Sequence, residues 1–87
     1  MIEPIDEQVE VAMIYSKNKG QTWPCLVRWR HKRWHVSRLG FKHYVKKGKI
    51  LVHIYEFVTR EGLWMRLEHD TLHNTWILGA ISDGETD

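Results

Sequence analysis

Histidines, one cysteine and a dense run of lysine and arginine are the side chains of this chain with chemistry to offer. The string His69-Asp70-Thr71-Leu72-His73 approaches the His-Glu-x-x-His of zinc proteases. That chemistry needs a helix to bring both imidazoles to one face, a glutamate base and a third ligand. Here Asp70 stands where the glutamate is needed and the flanks read as strands ending in a turn, so neither a metal nor a cofactor is expected. His53 and His69 fall opposite each other in the strand register derived below. Two such imidazoles would share a metal, or supply an acid and a base for RNA cleavage. The ordinary alternative is a pair of hydrogen-bonded core residues. Ser16, Ser37 and Ser82 lie in no nucleophile elbow, and no glycine-rich phosphate loop is present. The chain therefore reads as non-catalytic, with a small histidine-dependent ribonuclease as the least favoured reading.

The net charge of +2 conceals where the charges sit. From Val11 to Tyr55 there is no Asp or Glu, yet eleven of the thirteen Lys and Arg lie there. Within that run, WPCLVRWRHKRWHVSR (23–38) alternates apolar and polar residues at period two, the pattern of two strands folded back on each other. A turn at His31-Lys32 sets Trp29 against Trp34 and Val27 against Val36 on one face. Arg28 then meets His35, and Arg30 meets Arg33, on the other. Facing arginines repel unless an anion lies between them. A phosphate backbone would relieve that repulsion and release its condensed counterions. Phe41 and Tyr44 sit among the following lysines and are suited to stack on unpaired bases. The expected nucleic-acid-binding set is thus Arg28, Arg30, Lys32, Arg33, His35, Lys42, Tyr44, Lys46, Lys47 and Lys49, with single-stranded nucleic acid as the partner. The competing reading is a solvated sheet face balanced by the acidic ends. A protein-interaction module, docking an acidic partner or forming a homodimer through a strand edge, is the alternative function.

The elements that must position these residues are strands. Residues 1–7 read as an acidic, flexible lead, residues 8–81 as a single β domain, and residues 82–87 as an acidic, flexible tail. Within the domain, 8–15 forms a first strand, SKNKGQ (16–21) a turn, and the hairpin above the second and third strands. GFKHYVKKGK (40–49) is either a basic loop or a short irregular strand, being too short and uncapped for a helix. ILVHIYEFVT (50–59) reads as a central strand buried on both faces. Arg60-Glu61-Gly62 suits a three-residue hairpin loop with Gly62 in the left-handed region. That loop pairs Glu56 with Arg66, Phe57 with Met65, Tyr55 with Leu67 and His53 with His69, sorting charge with charge and core with core. Residues 63–71 and 76–81 supply the last two strands, turned at His73-Asn74. Six short strands without a periodic helix imply an all-β antiparallel meander, a bent sheet or small barrel.

At Pro24, Trp29-Arg30, Arg33 and Val36 the chain resembles a bacterial family of small β domains of unknown function, which carry a proline, then Trp-Arg-Gly-Arg-Arg, then an aromatic and a valine. Tyr55, Gly62-Leu63-Trp64 and Leu67 are similar to the family's later half, so the likeness spans roughly residues 23–81. His31-Lys32 replaces the family's Gly-Arg, and its aromatic-basic insert is missing. The resemblance implies no activity; it implies company with DNA-processing proteins such as translesion polymerases.

At 87 residues the chain makes one small domain, which buries only about 60–65% of its unfolded surface. Its five Trp, three Tyr and two Phe offset that deficit, because each buries much area per residue fixed. A single cysteine permits no internal disulfide, and Cys25 shares the parity of Val27 and Trp29, as a small core residue would. No leader pattern opens the chain and no apolar run approaches the roughly 20 residues needed to span a bilayer. A cytoplasmic protein without a membrane partner is expected.

Overall fold

The computed structural model describes residues 1–18 and 20–83. They form six antiparallel strands: β1 (Glu3–Ser16), β2 (Gln21–Trp29), β3 (Lys32–Lys47), β4 (Ile50–Thr59), β5 (Trp64–Asp70) and β6 (Thr75–Ser82). Each pairs with the next, and β1 also pairs with β6, so the meander closes on itself in a ring. β1 serves both neighbours by dividing its length. Glu3–Val9 pairs with β6, and Glu10–Ser16 with β2. The acidic lead expected at residues 1–7 is thus strand from Glu3 onward, with Glu3 opposite Ile81. The ring is filled by Val9, Val27, Trp29, Tyr55, Phe57, Met65, Leu67 and Leu78. Residues 84–87 of the expected tail lie outside the described residues.

Turn chemistry sets the registers. Gly62 has φ 89°, Thr59 N donates to Leu63 O at 2.9 Å, and Gly62 N donates to Thr59 O at 3.0 Å. This closes the three-residue loop read from the sequence, and all four β4–β5 pairs derived from it are present. The β2–β3 hairpin differs. Its turn is Arg30-His31, at φ 52° and 62°, rather than His31-Lys32. Two central residues at positive φ give the I′ geometry whose twist matches that of the flanking strands. The actual pairs are Leu26–His35, Val27–Trp34, Arg28–Arg33 and Trp29–Lys32. Moving a two-residue turn by one position shifts the register by two, so side-chain faces survive while every partner changes. The Arg30–Arg33 opposition is therefore replaced by Arg28–Arg33.

The segment 40–47 is neither loop nor short strand but the second half of β3, paired with β4 up to a two-residue turn at Gly48-Lys49. Gly48 has φ 63°, the first-position geometry that a II′ turn reserves for glycine. Extra residues bend the sheet: Cys25 on β2, Ser37 and Gly40 on β3, and Gly79 on β6 are each skipped by a partner strand, and on β1 the pair Ile5-Asp6 spans a single residue of β6. At Gly40 the backbones approach closely, since an added Cβ would stand 3.0 Å from Glu56 O. Cys25 is consequently half-buried at a bulge rather than fully in the core. The β5–β6 turn runs from Thr71 to Asn74, longer than His73-Asn74 alone, with Asn74 at φ 54°. No helix among the described residues is long and apolar enough to cross a membrane.

Candidate nucleic-acid interface

The two bulges of β3 decide the geometry of the site. β3 pairs with β2 only from Lys32 to His35; past that point it follows β4 alone. The ring therefore parts along a seam between the start of β2 and the second half of β3. At this seam lies a cleft of about 550 Å³, lined by Gln21 of β2, by Lys42, His43 and Tyr44 of β3, and by His53 of β4. The first bulge turns Leu39 to the face of the β4 core, opposite Phe57, and the second restores the earlier parity, so Lys42 lies opposite Tyr55 and Tyr44 opposite His53.

Beside the cleft the rings form a connected cluster. Tyr55 meets Trp23 edge-on at 6.2 Å and Trp76 at 5.7 Å. His69 stacks flat on Trp76 at 4.1 Å, 8° from parallel. His53 lies within 6.4 Å of both Tyr55 and His69, and Tyr44 lies 6.3 Å from His53. Lys42 Nζ sits 5.7 Å from the Trp23 ring and 5.5 Å from that of Tyr55, within cation–π range. Burial pushes the His53 pKa below its ordinary value, and the neighbouring charges of Lys42 and His69 add to that shift. Burial raises the Tyr55 hydroxyl.

The ten side chains expected to bind nucleic acid do not share one surface. Because the strands run alternately up and down, Arg28, Arg30, Lys32, Arg33 and His35 gather around the β2–β3 turn. Lys42, Tyr44, Lys46, Lys47 and Lys49 lie at the opposite end, around the β3–β4 turn. The first group is largely occupied. Arg28 Nη1 is 3.2 Å from Glu10 Oε1, and Arg30 Nη2 is 3.0 Å from Glu7 Oε2. Lys32 Nζ caps the Trp34 ring at 4.2 Å, and His35 Nδ1 is 2.9 Å from Glu61 Oε2. In the second group Lys47 reaches Glu68 at 3.5 Å. Of the basic side chains among the ten, Lys32, Arg33, Lys42, Lys46 and Lys49 have no carboxylate partner among the described residues. Three of those five belong to the β3–β4 end.

The histidine string forms no metal centre. Asp70 Oδ1 accepts from Leu72 N at 2.9 Å and His73 N at 3.0 Å, while its Oδ2 lies 2.9 Å from His73 Nδ1. These bonds, the one from the His73 ring foremost, hold the Asp70 carboxyl below its usual pKa. Asp70 is the organiser of a turn. His69 Nε2 lies 2.8 Å from Asn74 Oδ1. With its face on Trp76 as well, His69 has the surroundings of a structural histidine. Among the described residues no group of three or more His, Cys, Asp or Glu side chains could hold a metal ion.

Gln21, Trp23 and Trp76 join the site without having been singled out. Trp76 lies opposite His69 because the turn spans Thr71 to Asn74; the expected turn at His73-Asn74 keeps His69 and Trp76 on one face but sets Trp76 opposite Thr71. Gln21 and Trp23 arrive across the seam, which no local pattern marks. Comparisons with protein-family models, curated proteins and solved structures return no match to this chain.

Proposed function

We propose that this chain is a non-catalytic domain that binds single-stranded nucleic acid through the β3–β4 end of the ring. The observation that carries the reading is Tyr44. Tyr44 is 68% exposed and stands two residues from both Lys42 and Lys46 on one strand, so the three share a face. Lysines bracketing an exposed ring suit a polyanion whose bases are free to stack, with the phosphates held on either side. Arg28 and Arg30 of the β2–β3 hairpin, matched by Glu10 and Glu7, are left with a structural role in this reading. The lone Cys25 thiol suits the reducing cytoplasm.

The test is titration of a labelled single-stranded oligonucleotide at several salt concentrations. Engagement by Lys42, Lys46 and Lys49 gives a slope of log K against log salt of about −2, from roughly 0.7 per phosphate neutralised. Tyr44→Ala costs about 1–3 kcal/mol of binding, the range for loss of one stacked base. Lys46→Ala and Lys49→Ala each flatten the slope, whereas Arg28→Ala leaves it unchanged. Undetectable binding at low salt, or a slope carried by Arg28 instead, would remove the reading.

A further inference from the structure

We infer that the open edge of β3 takes an extended acidic segment of a partner protein as an added strand. From Phe41 to Lys47 the register with β4 is uninterrupted. Lys47 and Ile50 flank the two-residue Gly48-Lys49 turn, so they form a hydrogen-bonded pair, and alternate residues follow suit. The backbone groups of Val45, His43 and Phe41 thus turn to β4, and those of Lys46, Tyr44 and Lys42 turn away from it. The same alternation is visible one strand along, where Thr71 N donates to Leu51 O on the β5 side of β4 at 3.2 Å. Beyond His35 no described strand pairs with the outer edge of β3. Three alternate residues therefore present strand-type donors and acceptors at an exposed edge.

Charge selects the occupant. Lysines on an edge are a usual guard against aggregation, and they act so here against a second copy. Antiparallel self-pairing about Tyr44 sets Lys42 against Lys46, and β3 has no acid to offset it. A strand bearing Asp or Glu at alternate positions meets those same lysines favourably. On the other face of β3, Phe41 is 55% and Val45 38% exposed, giving apolar purchase to the residues in between. The fitting segment thus alternates acidic and β-branched residues. The inference stands apart from the nucleic-acid reading because it uses backbone groups, although Lys42 and Lys46 would make the two ligands mutually exclusive.

The probe is a blocked hexapeptide alternating glutamate and valine, titrated into the full chain and followed through backbone amide resonances. N-methylating alternate residues in one phase removes the bonds to β3 and weakens binding about tenfold or more, while the other phase, facing away, is tolerated. Lys46→Pro deletes an N–H that the β4 ladder does not use, and it weakens binding at least about fivefold beyond Lys46→Ala. Replacing glutamate by lysine in the peptide abolishes binding. No binding, equal sensitivity in both N-methyl phases, or equal affinity of the lysine peptide overturns the inference. Should Lys46→Pro fail to fold, the two N-methylated peptides decide alone. Loss of oligonucleotide binding with the peptide pattern intact would sink the nucleic-acid reading and support this one.

Discussion

Glu7 holds two side chains of the β2–β3 hairpin at once. Its Oε1 accepts from the Trp29 indole Nε1 at 2.9 Å, and its Oε2 pairs with Arg30 at 3.0 Å. Both bonds, the indole's foremost, pull its carboxyl below the ordinary pKa. Glutamine at this position keeps an oxygen for the indole but no charge for the guanidinium; alanine keeps neither. Glu7→Ala is therefore expected to lower the melting temperature more than Glu7→Gln. Equal melting points would mean that the indole bond contributes nothing. The acid-free run from Val11 to Tyr55 drew attention to the arginines. Their neutralisation by the acidic ends is the competing reading of the sequence, and Glu10 and Glu7 supply it for Arg28 and Arg30. The individual partners were not legible, because Glu7 lies twenty-three residues from Arg30 in sequence and follows a bulge at Asp6, where φ is 57°.

At the scale of elements, legibility follows turn chemistry. Arg60-Glu61-Gly62 had one reading, since only Gly62 takes the left-handed position cheaply, and every β4–β5 pair came with it. Arg30, His31 and Lys32 offer no glycine or asparagine, so the position of the turn was underdetermined even though the faces were clear. The structure places both Arg30 and His31 at positive φ, which is strained for residues with a Cβ. His31→Gly is accordingly expected to stabilise the fold by about 0.5–1 kcal/mol, the strain relieved less the extra freedom of glycine in the unfolded chain. Urea unfolding measures this, and a destabilised variant would contradict the turn assignment. The second half of β3 was hidden for another reason. Its bulges at Ser37 and Gly40 interrupt the period-two pattern twice, turning Leu39 to the core face between them; Lys42, Tyr44 and Lys46 keep the face that continued alternation gives them but meet β4 two residues along.

Taken whole, the molecule responds to acid in one direction. His53 titrates below its ordinary 6.5 and Glu7 below 4.5. Asp70 titrates below 3.8. Burial works to raise Glu61, yet the bonds it receives from the His35 ring and backbone hold it below 4.5. In each case the unfolded chain binds the proton more readily, so stability rises with pH across the window. The His53 contribution is complete above about pH 6.5 and is lost as pH falls through its folded value. The carboxylate contributions are complete above about pH 4.5 and are lost below it. Melting temperature is expected to be flat between about pH 7 and 9, below the range where the raised Tyr55 hydroxyl begins to count, and to decline progressively toward pH 4; a rise on acidification would contradict these assignments. An all-β meander was legible from six strand-like runs without a helix. Between a bent sheet and a small barrel the sequence left the choice open, because the pairing of Glu3–Val9 with β6 that closes the ring joins segments that no local signal connects. That union has a temporal side. During synthesis the opening half of β1 waits for the last strand to be made, with its backbone bare in the interval. The ring can be sealed only as a late event, in the manner of folds dominated by long-range pairing, and until then the nascent chain is at its most vulnerable to aggregation.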